Sequence, residues 1–211
     1  MTDFFDIAAT SSVLALQQRK GSLGIYTDTV GSGPGALHII TEQEADLLTT
    51  RDSFYLATVS ETGWPYVQHR GGEAGFIKLI DDHTIGWVER NGNRQYVGTG
   101  NISANGRVAA IFVDYPTRSR LKAYGQATHH PDPSPELLES LGATNHRNDG
   151  AVTVELLATA WNCPKYITPR FTEDQISAAI RPLQQRIAEL EAQLSNSVPV
   201  PTVRIPPSAD A

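Results

Sequence analysis

The chain has 211 residues, of which 40% are hydrophobic and 19% charged, and 17 basic against 23 acidic side chains leave a net charge of -6. This length suits one domain with appendages, and the acidic balance argues against nucleic acid as a partner. The single cysteine, Cys163, excludes an intrachain disulfide and a two-cysteine metal site. The acidic N-terminus lacks a signal-peptide pattern, and no segment is apolar enough for a membrane span, so we expect a cytoplasmic protein that is not membrane-embedded.

The N-terminal region is predicted to be a helical arm followed by a loop. An imperfect apolar face over residues 4–19 predicts one helix, which ends at Lys20 and Gly21. The Gly- and Ser-rich stretch 21–35 has no periodicity and predicts a loop. Thr41 with Glu44 three residues later forms a capping-box pattern. It predicts a short helix from about 42 to 50 whose inward side carries Ala45, Leu47 and Leu48.

From Ser53 the apolar period changes to two, which predicts short strands. The expected strands span 54–60, 64–70, 75–80, 84–89, 107–114, 118–129 and 152–158. Short helices are expected near 101–105 and 135–141. Strands with only one apolar face close into barrels or pack as sandwiches, so the centre of the chain is expected to be an antiparallel β-domain.

The C-terminal region has a different character. Thr172 to Gln175 repeats the capping-box pattern. Apolar residues then follow at alternating spacings of four and three, as in a heptad repeat: Ile176, Ile180, Leu183, Ile187, Leu190 and Leu194. Pro182 is expected to kink this helix or to begin a second one. Residues 195–211 contain four prolines and predict an extended or disordered tail.

The apolar stripe of this predicted helix needs a partner. It could pack on the same helix of a second subunit, on the N-terminal helix, or on its own barrel. We expect inter-subunit packing, although three heptads interrupted by Pro182 are short for an independent coiled coil.

Two strand ends carry groups suited to an anion. In the first, Gln68 and Arg70 share one face of a strand while His69 points away, and two glycines follow. The second, residues 91–96, offers amide side chains and the guanidinium of Arg94, a donor set that suits a phosphate. Each segment could equally be a hairpin turn with a solvated arginine.

Other chemistry is weakly indicated. His69, His129, His130 and His146 lack the spacing of a metal site, so none is predicted. Cys163 has no flanking signature of a nucleophile, and a lone cysteine is usually a small buried hydrophobe. The glycine-rich nucleotide loops of α/β proteins are absent.

An ordered set of motifs carries a family resemblance. The motifs are Phe54–Thr58, Pro65–Gly72, Gly92–Tyr96, Gly100–Ile102, Asn105–Val108, Arg120–Lys122 with Gly125, and Trp161–Tyr166. In this order they resemble the pyridoxamine 5'-phosphate oxidase-like family of flavin-binding split barrels, over about residues 40–170. The C-terminus departs from the vitamin B6 oxidases, which have an Arg and His cluster where this chain has a heptad helix.

The resemblance implies a mainly β fold with flanking helices: a six-stranded antiparallel split β-barrel followed by a C-terminal heptad helix. The segments would be an arm at 1–40, an FMN-binding barrel at 41–170, an amphipathic helix at 171–195 and a Pro-rich tail at 196–211. The resemblance also implies a homodimer with FMN in clefts between the subunits. One subunit would supply Gln68, His69, Arg70, Gly71, Asn93, Arg94, Gln95, Thr99 and Asn101. The other would supply Arg120, Lys122, Trp161, Cys163, Pro164 and Lys165.

The function implied by this resemblance is an FMN-dependent oxidoreductase that passes hydride or electrons between a small organic substrate and the flavin. The candidates for a general acid or base are His69 and Lys165. An alternative from another class is a non-catalytic protein that binds flavin, haem or a B6 vitamer in the same cleft. A deazaflavin could also replace FMN.

Overall fold

The computed structural model describes residues 4–26, 37–90, 92–143 and 150–197. His146, residues 27–35 of the predicted loop and the predicted tail from residue 198 onward lie outside these ranges, as does Asn91. The chain divides into two compact units, residues 1–169 and 170–211. The first contains the sheet and every candidate site residue.

The N-terminal arm contains three short helices: α1 (Phe4–Ala8), α2 (Ser11–Lys20) and α3 (Leu23–Tyr26). The prediction of one helix over 4–19 is therefore wrong. The chain leaves helical geometry at Thr10, whose ψ of 164 is extended, and the serines after it favour helix starts over helix interiors. Helix α2 ends as predicted, at Gly21 with a φ of 71, but α3 lies where a loop was expected.

Helix α4 (Glu42–Thr50) confirms the capping-box prediction. The Glu44 N–H donates to Thr41 Oγ1 at 3.3 Å, and the Thr41 N–H donates to Glu44 Oε2 at 2.8 Å. Leu47 and Leu48 are buried as expected. The apolar side of α4 thus covers the sheet.

Seven antiparallel strands form one sheet: β1 (Ser53–Val59), β2 (Pro65–Gly71), β3 (Lys78–Leu79), β4 (Thr84–Val88), β5 (Arg107–Asp114), β6 (Ser119–His130) and β7 (Ala151–Trp161). Their order is β2-β1-β5-β6-β7-β4-β3. Two helices lie between strands, α5 (Val97–Ala104) and α6 (Pro135–Ser140). The expected count of six strands is wrong by one. The strand expected over 75–80 is only two residues long, because Gly75 takes a φ of 83 and donates its N–H to Arg51.

The sheet must curl, because a short loop joins its two ends. Strands β2 and β3 are the outermost strands, and a flat sheet would separate them by roughly 29 Å, six spacings of about 4.8 Å. The seven steps from Gly71 to Lys78 span at most roughly 25 Å even when fully extended. The free edge of β2 is therefore brought toward the β3–β4 edge, and we call the gap between these two edges the seam.

The inner face of the curled sheet holds the core. Phe54 of β1 stacks on Phe112 of β5 at 5.0 Å between ring centroids, and it meets Trp87 of β4 edge-on at 5.1 Å. All three side chains are almost fully buried. The Phe54–Trp87 contact joins strands from the two ends of the sheet, so the core itself draws the seam together.

Helix α7 (Glu173–Ser197) forms the second unit. It begins with the predicted capping box, since the Gln175 N–H donates to Thr172 Oγ1 at 3.3 Å and the Thr172 N–H donates to Gln175 Oε1 at 3.0 Å. The helix runs through Pro182 without interruption, so no second helix begins there. Within the described ranges, no helix is both long and apolar enough to cross a membrane.

Candidate cofactor site

A polar cleft of about 760 Å³ lies at the seam of the barrel. Its walls are the C-terminal half of β2, the loop 72–76, the end of β4 and residues 141–143. Gln68, His69, Arg70 and Gly71, all predicted from the sequence to bind a cofactor, line it. Lys78 and Arg90 add positive charge and Glu73 adds negative charge, and sequence reasoning assigned none of the three to the site.

Arg70 crosses the seam inside this cleft. Its Nη1 lies 2.6 Å from Glu89 Oε2, and Glu89 Oε1 accepts a hydrogen bond from Trp87 Nε1 at 2.9 Å. The Arg70 and Glu89 side chains are only 14% and 8% exposed. A buried charge needs such a partner, and removing one member of the pair leaves the other uncompensated. Much of the charge of Arg70 is thus balanced by the protein itself.

The first turn of α5 approaches β2 at Gly98. A Cβ at this position would lie 2.9 Å from Gln68 Oε1 and 3.3 Å from Arg70 Nη2, so a larger residue would force the ends of these two side chains to move. The N-cap residue of α5, Tyr96, makes no side-chain capping hydrogen bond. The first N–H groups of a helix need partners from outside it, and they favour anions. Gly98 was not predicted as a site residue, although a glycine in the first turn of a helix is the sequence signal for such an approach.

Residues 92–96 lead into this helix with exposed polar side chains. Arg94 and Tyr96 have φ values of 60 and 50, in the left-handed region that residues other than glycine rarely adopt. The Gln95 N–H donates to Asn93 Oδ1 at 3.2 Å, which holds the turn. Arg94 makes no hydrogen bond or ion pair with any residue in the described ranges, and its charge is therefore available to a ligand. Strained backbone of this kind is common at functional sites.

Asn101 and Thr99, which the family resemblance also implicated, lie on α5. The Asn101 side chain is buried, and its Nδ2 donates to Thr58 Oγ1 of β1 at 3.0 Å. Its amide therefore fastens α5 to the sheet. Thr99 lies in the first turn of α5 and is partly buried, and its carbonyl accepts from Ser103 Oγ at 3.1 Å.

Arg120 and Lys122 lie on the opposite face of the sheet from Gln68 and Arg70. The register aligns Lys122 with Ile111, Ile111 with Tyr55, and Tyr55 with His69 across four neighbouring strands. Residues directly opposite in register share a face. His69 is thus on the outer face with Lys122, whereas Gln68 and Arg70 turn inward.

Lys122 is partly covered by the N-terminal arm. Its Nζ lies 4.4 Å from the centre of the Phe4 ring, and Phe4 stacks on Tyr124 at 4.7 Å. Burial lowers the pKa of Lys122, and repulsion from Arg120 lowers it further. Lys122 is therefore a partly desolvated cation, which is a good partner for an anionic group.

The Trp161–Lys165 segment follows the end of β7. Trp161 pairs with Leu121 and is 39% exposed, and the Asn162 N–H donates to the Arg120 carbonyl at 3.0 Å. Cys163, Pro164 and Lys165 are exposed, contrary to the expectation of a buried thiol at Cys163. This segment and Arg120 form a second group, and its members do not line the seam cleft.

Of the two catalytic candidates, His69 is among the residues that line the cleft, although its side chain belongs to the outer face of the sheet, and Lys165 does not line the cleft. The His69 ring meets Tyr55 edge-on at 5.5 Å. Lys165 extends over the ring of Tyr166 at 5.5 Å.

One group of possible metal ligands occurs in the described part of the chain: Asp81, Asp82 and His83, in the β3–β4 turn. His83 Nδ1 lies 2.6 Å from Asp82 Oδ1 and 3.4 Å from Asp81 Oδ1. Both carboxylates are exposed, and their contacts with the imidazole explain why the three side chains lie together without requiring a bound ion.

These features together define the class. A curled antiparallel sheet with a polar cleft at its open seam, lined by three cations and two glutamates, is a split barrel with a candidate anion site. The chain belongs to the pyridoxamine 5'-phosphate oxidase family, whose family model matches residues 40–159, more than half of the sequence. A search of curated proteins found no match.

Similar folds occur in solved structures. HupZ from Group A Streptococcus is 17% identical with a TM-score of 0.48, and the match covers 63% of this chain and all of HupZ. An FMN-binding protein from Syntrophomonas wolfei is 12% identical, with 71% and 97% covered and a TM-score of 0.44. HutZ, a haem storage protein from Vibrio cholerae, is 13% identical, with 56% and 91% covered and a TM-score of 0.41. These names describe the similar proteins and do not establish the ligand of this chain.

Proposed function

We propose that this protein is an FMN-dependent oxidoreductase acting on a small organic substrate. The observation that carries the proposal is the first turn of α5, whose N-cap residue makes no side-chain capping hydrogen bond and which lies against Gln68 and Arg70. Shortly before it comes Arg94, a cation that has no hydrogen bond or ion pair with any described residue. Helix N–H groups, a guanidinium and an amide together match a phosphate dianion. Within a family of this name, a phosphate-bearing redox cofactor is the ligand that fits such donors.

The residues present fit FMN in charge and in size. The Arg94 guanidinium and the first turn of α5 would hold the phosphate, and Gln68 would orient the groups beside it. The 760 Å³ cleft is within the usual range for a cofactor-sized ligand; Arg94 and α5 do not line it, and Gln68 and Arg70 connect it to the first turn of α5. When bound, the flavin supplies the redox chemistry, and the protein supplies binding, orientation and charge. Arg70, fixed by Glu89, would present its Nη2 toward the site without adding a full net charge.

We further propose that the site is completed by a second subunit. Arg120, Lys122 and the Trp161–Lys165 segment are apart from the seam cleft within one chain, and Lys122 is on the other face of the sheet. A homodimer would let these groups meet the cleft of the partner. The partly desolvated Lys122 then has a natural role as a counter-charge to an anionic cofactor.

The competing function is a binding protein without catalysis. Similar folds include a protein named for FMN and one named for haem, so the first experiment must separate ligands. Absorbance of the purified protein, and the mass of the ligand released on denaturation, distinguish FMN, deazaflavin and haem. Reduction of the bound flavin by NAD(P)H, with turnover of an added acceptor, then distinguishes an enzyme from a carrier.

The phosphate site is tested by Arg94→Ala. One charge-assisted pair contributes roughly 1.5–3 kcal/mol, so FMN affinity should fall about 10- to 100-fold. Arg181→Ala is the matched control, since it removes the same charge from an exposed position on α7. Unchanged FMN affinity in Arg94→Ala would remove Arg94 from the site and with it the central support for the proposal.

The shared site is tested by mixing Arg94→Ala with Trp161→Ala. In a heterodimer one cleft carries both substitutions and the other carries neither, so part of the flavin binding should return after subunit exchange. Arg94 suits this design better than Arg70, whose loss would leave Glu89 buried and uncompensated. If exchange is verified and no binding returns, the cleft is built from a single chain.

A further inference from the structure

Helix α7, taken by itself, has an apolar stripe along one face. Ile176, Ile180, Leu183, Ile187, Leu190 and Leu194 are each between 41% and 64% exposed. Six large apolar side chains on one face of one helix form a continuous exposed surface. Surfaces of this kind mark an interaction site.

The residue types along the stripe select a particular partner. The 4-3 spacing places Ile180, Ile187 and Leu194 at heptad position a, and Ile176, Leu183 and Leu190 at position d. The two central heptads therefore have Ile at a and Leu at d. This combination favours parallel pairs of helices over higher oligomers. The end positions, Ile176 and Leu194, depart from it.

We propose that α7 forms a parallel, in-register, two-stranded coiled coil with α7 of a second copy of this chain. The flanking charges support this orientation. Arg186 is at position g and Glu191 at position e of the next heptad, the two positions that meet across a parallel pair. Symmetry makes this contact twice. In an antiparallel pair g faces g and e faces e, so Arg186 would not meet Glu191.

Pro182 is compatible with this arrangement. It falls at position c, on the side away from the a and d stripe, and α7 continues through it. Its ring therefore would not enter the interface. Within one chain Arg186 forms an exposed ion pair with Glu189 at 2.8 Å. Exposed pairs of this type contribute little, so this one does not prevent Arg186 from turning to the partner.

The first test uses disulfide cross-linking of the full-length protein in a Cys163→Ser background. Leu183→Cys and Leu190→Cys each place a thiol at position d, where a parallel pair brings identical residues close enough for a disulfide. Each should form a cross-linked dimer under mild oxidation. Gln185→Cys, at position f on the outer side, is the control and should not. An antiparallel pair would allow self-cross-linking at no more than one of the two d positions. Cross-linking at only one of them would overturn the proposal, and so would yields at both that are no higher than that of the Gln185→Cys control.

The second test uses charge reversal and does not disturb the apolar stripe. In the Leu190→Cys background, Arg186→Glu should lower the rate of cross-linking by roughly three- to tenfold, because it creates two like-charge contacts. Adding Glu191→Arg should restore the rate. These residues are five apart and lie on different sides of their own helix, so restoration requires a contact between chains. Independent, additive effects of the two substitutions would show that they do not meet. Neither test depends on the proposed cofactor.

Discussion

The buried carboxylate of Glu44 should make the stability of the fold depend on pH. Glu44 Oε2 accepts from Thr41, through both its N–H and its hydroxyl, and lies 2.9 Å from His38 Nε2. Glu44 Oε1 accepts from Thr159 Oγ1 of β7 at 2.5 Å. Burial acts to raise the pKa of Glu44, but these hydrogen bonds outweigh it and lower the pKa from 4.5 to about 2.

The size of the effect follows from this difference. A carboxylate with a lower pKa in the folded state stabilises the fold above the unfolded pKa of 4.5 and loses that contribution as the pH falls toward 2. The full difference corresponds to about 3 kcal/mol. Glu44 titrates in both the folded and the unfolded state, so only part of this contribution is lost over an accessible pH range. About 2 kcal/mol of the free energy of unfolding should be lost between about pH 6 and about pH 3.

Denaturant unfolding across this pH range measures the effect. Other carboxylates also titrate, so the informative quantity is the difference in free energy of unfolding between the wild type and Glu44→Gln. This difference should be largest near neutral pH and should shrink as the pH falls. Glu42→Gln, an exposed change in the same first turn of α4, is the control and should follow the wild type. If the wild type and Glu44→Gln lose stability in parallel from pH 6 to pH 3, the reasoning about Glu44 is wrong.

Three further substitutions test the packing by denaturant unfolding. Gly125→Ala should lower the free energy of unfolding by about 1–3 kcal/mol, because the new Cβ would lie 2.5 Å from Val154 Cγ1. If the variant is as stable as the wild type, the β6–β7 contact can shift to make room for the added methyl group. Gly100→Ala, where no atom lies within 4 Å of the added Cβ, should instead stabilise α5 by about 0.5–1 kcal/mol, and a loss would contradict the open space there. Asn101→Ala should cost about 1–3 kcal/mol, since it leaves the buried Thr58 hydroxyl without its donor. If the stability of Asn101→Ala equals that of the wild type within experimental error, the Thr58 hydroxyl has found another hydrogen-bond partner.

Local signals predicted local structure well. The boundaries of α4 were predicted from Thr41 and Glu44, because a capping box is complete within four residues. Strand β5 was predicted over 107–114, since a short apolar run between Arg107 and Asp114 is typical of a buried strand. The same approach missed the break between α1 and α2 at Thr10. The apolar pattern in the sequence continues across this residue, although its backbone is extended.

Contacts between distant segments were not predictable in the same way. Gln68 and Arg70 were assigned to one face of β2 from their spacing, and the burial pattern of the strand agrees. Glu89 was assigned to the end of a strand, but nothing near it in sequence indicated that it would face Arg70. That contact exists only because the sheet curls and brings its two edges together. Curling depends on the loop after β2 and on the Phe54–Trp87 contact, which are properties of the whole domain.

The Arg70–Glu89 pair changes how the candidate site should be understood. From the sequence, Arg70 and Arg94 are two similar cations at strand ends suited to an anion, and the family resemblance places both at the cofactor. In the structure Arg70 is partly buried and ion-paired, whereas Arg94 is exposed and has no partner among the described residues. Substituting Arg70 would therefore perturb the seam and the fold, and a resulting loss of ligand would not identify a ligand contact. Substituting Arg94 removes charge without breaking any contact in the described structure, so its effect on binding reports on the ligand itself.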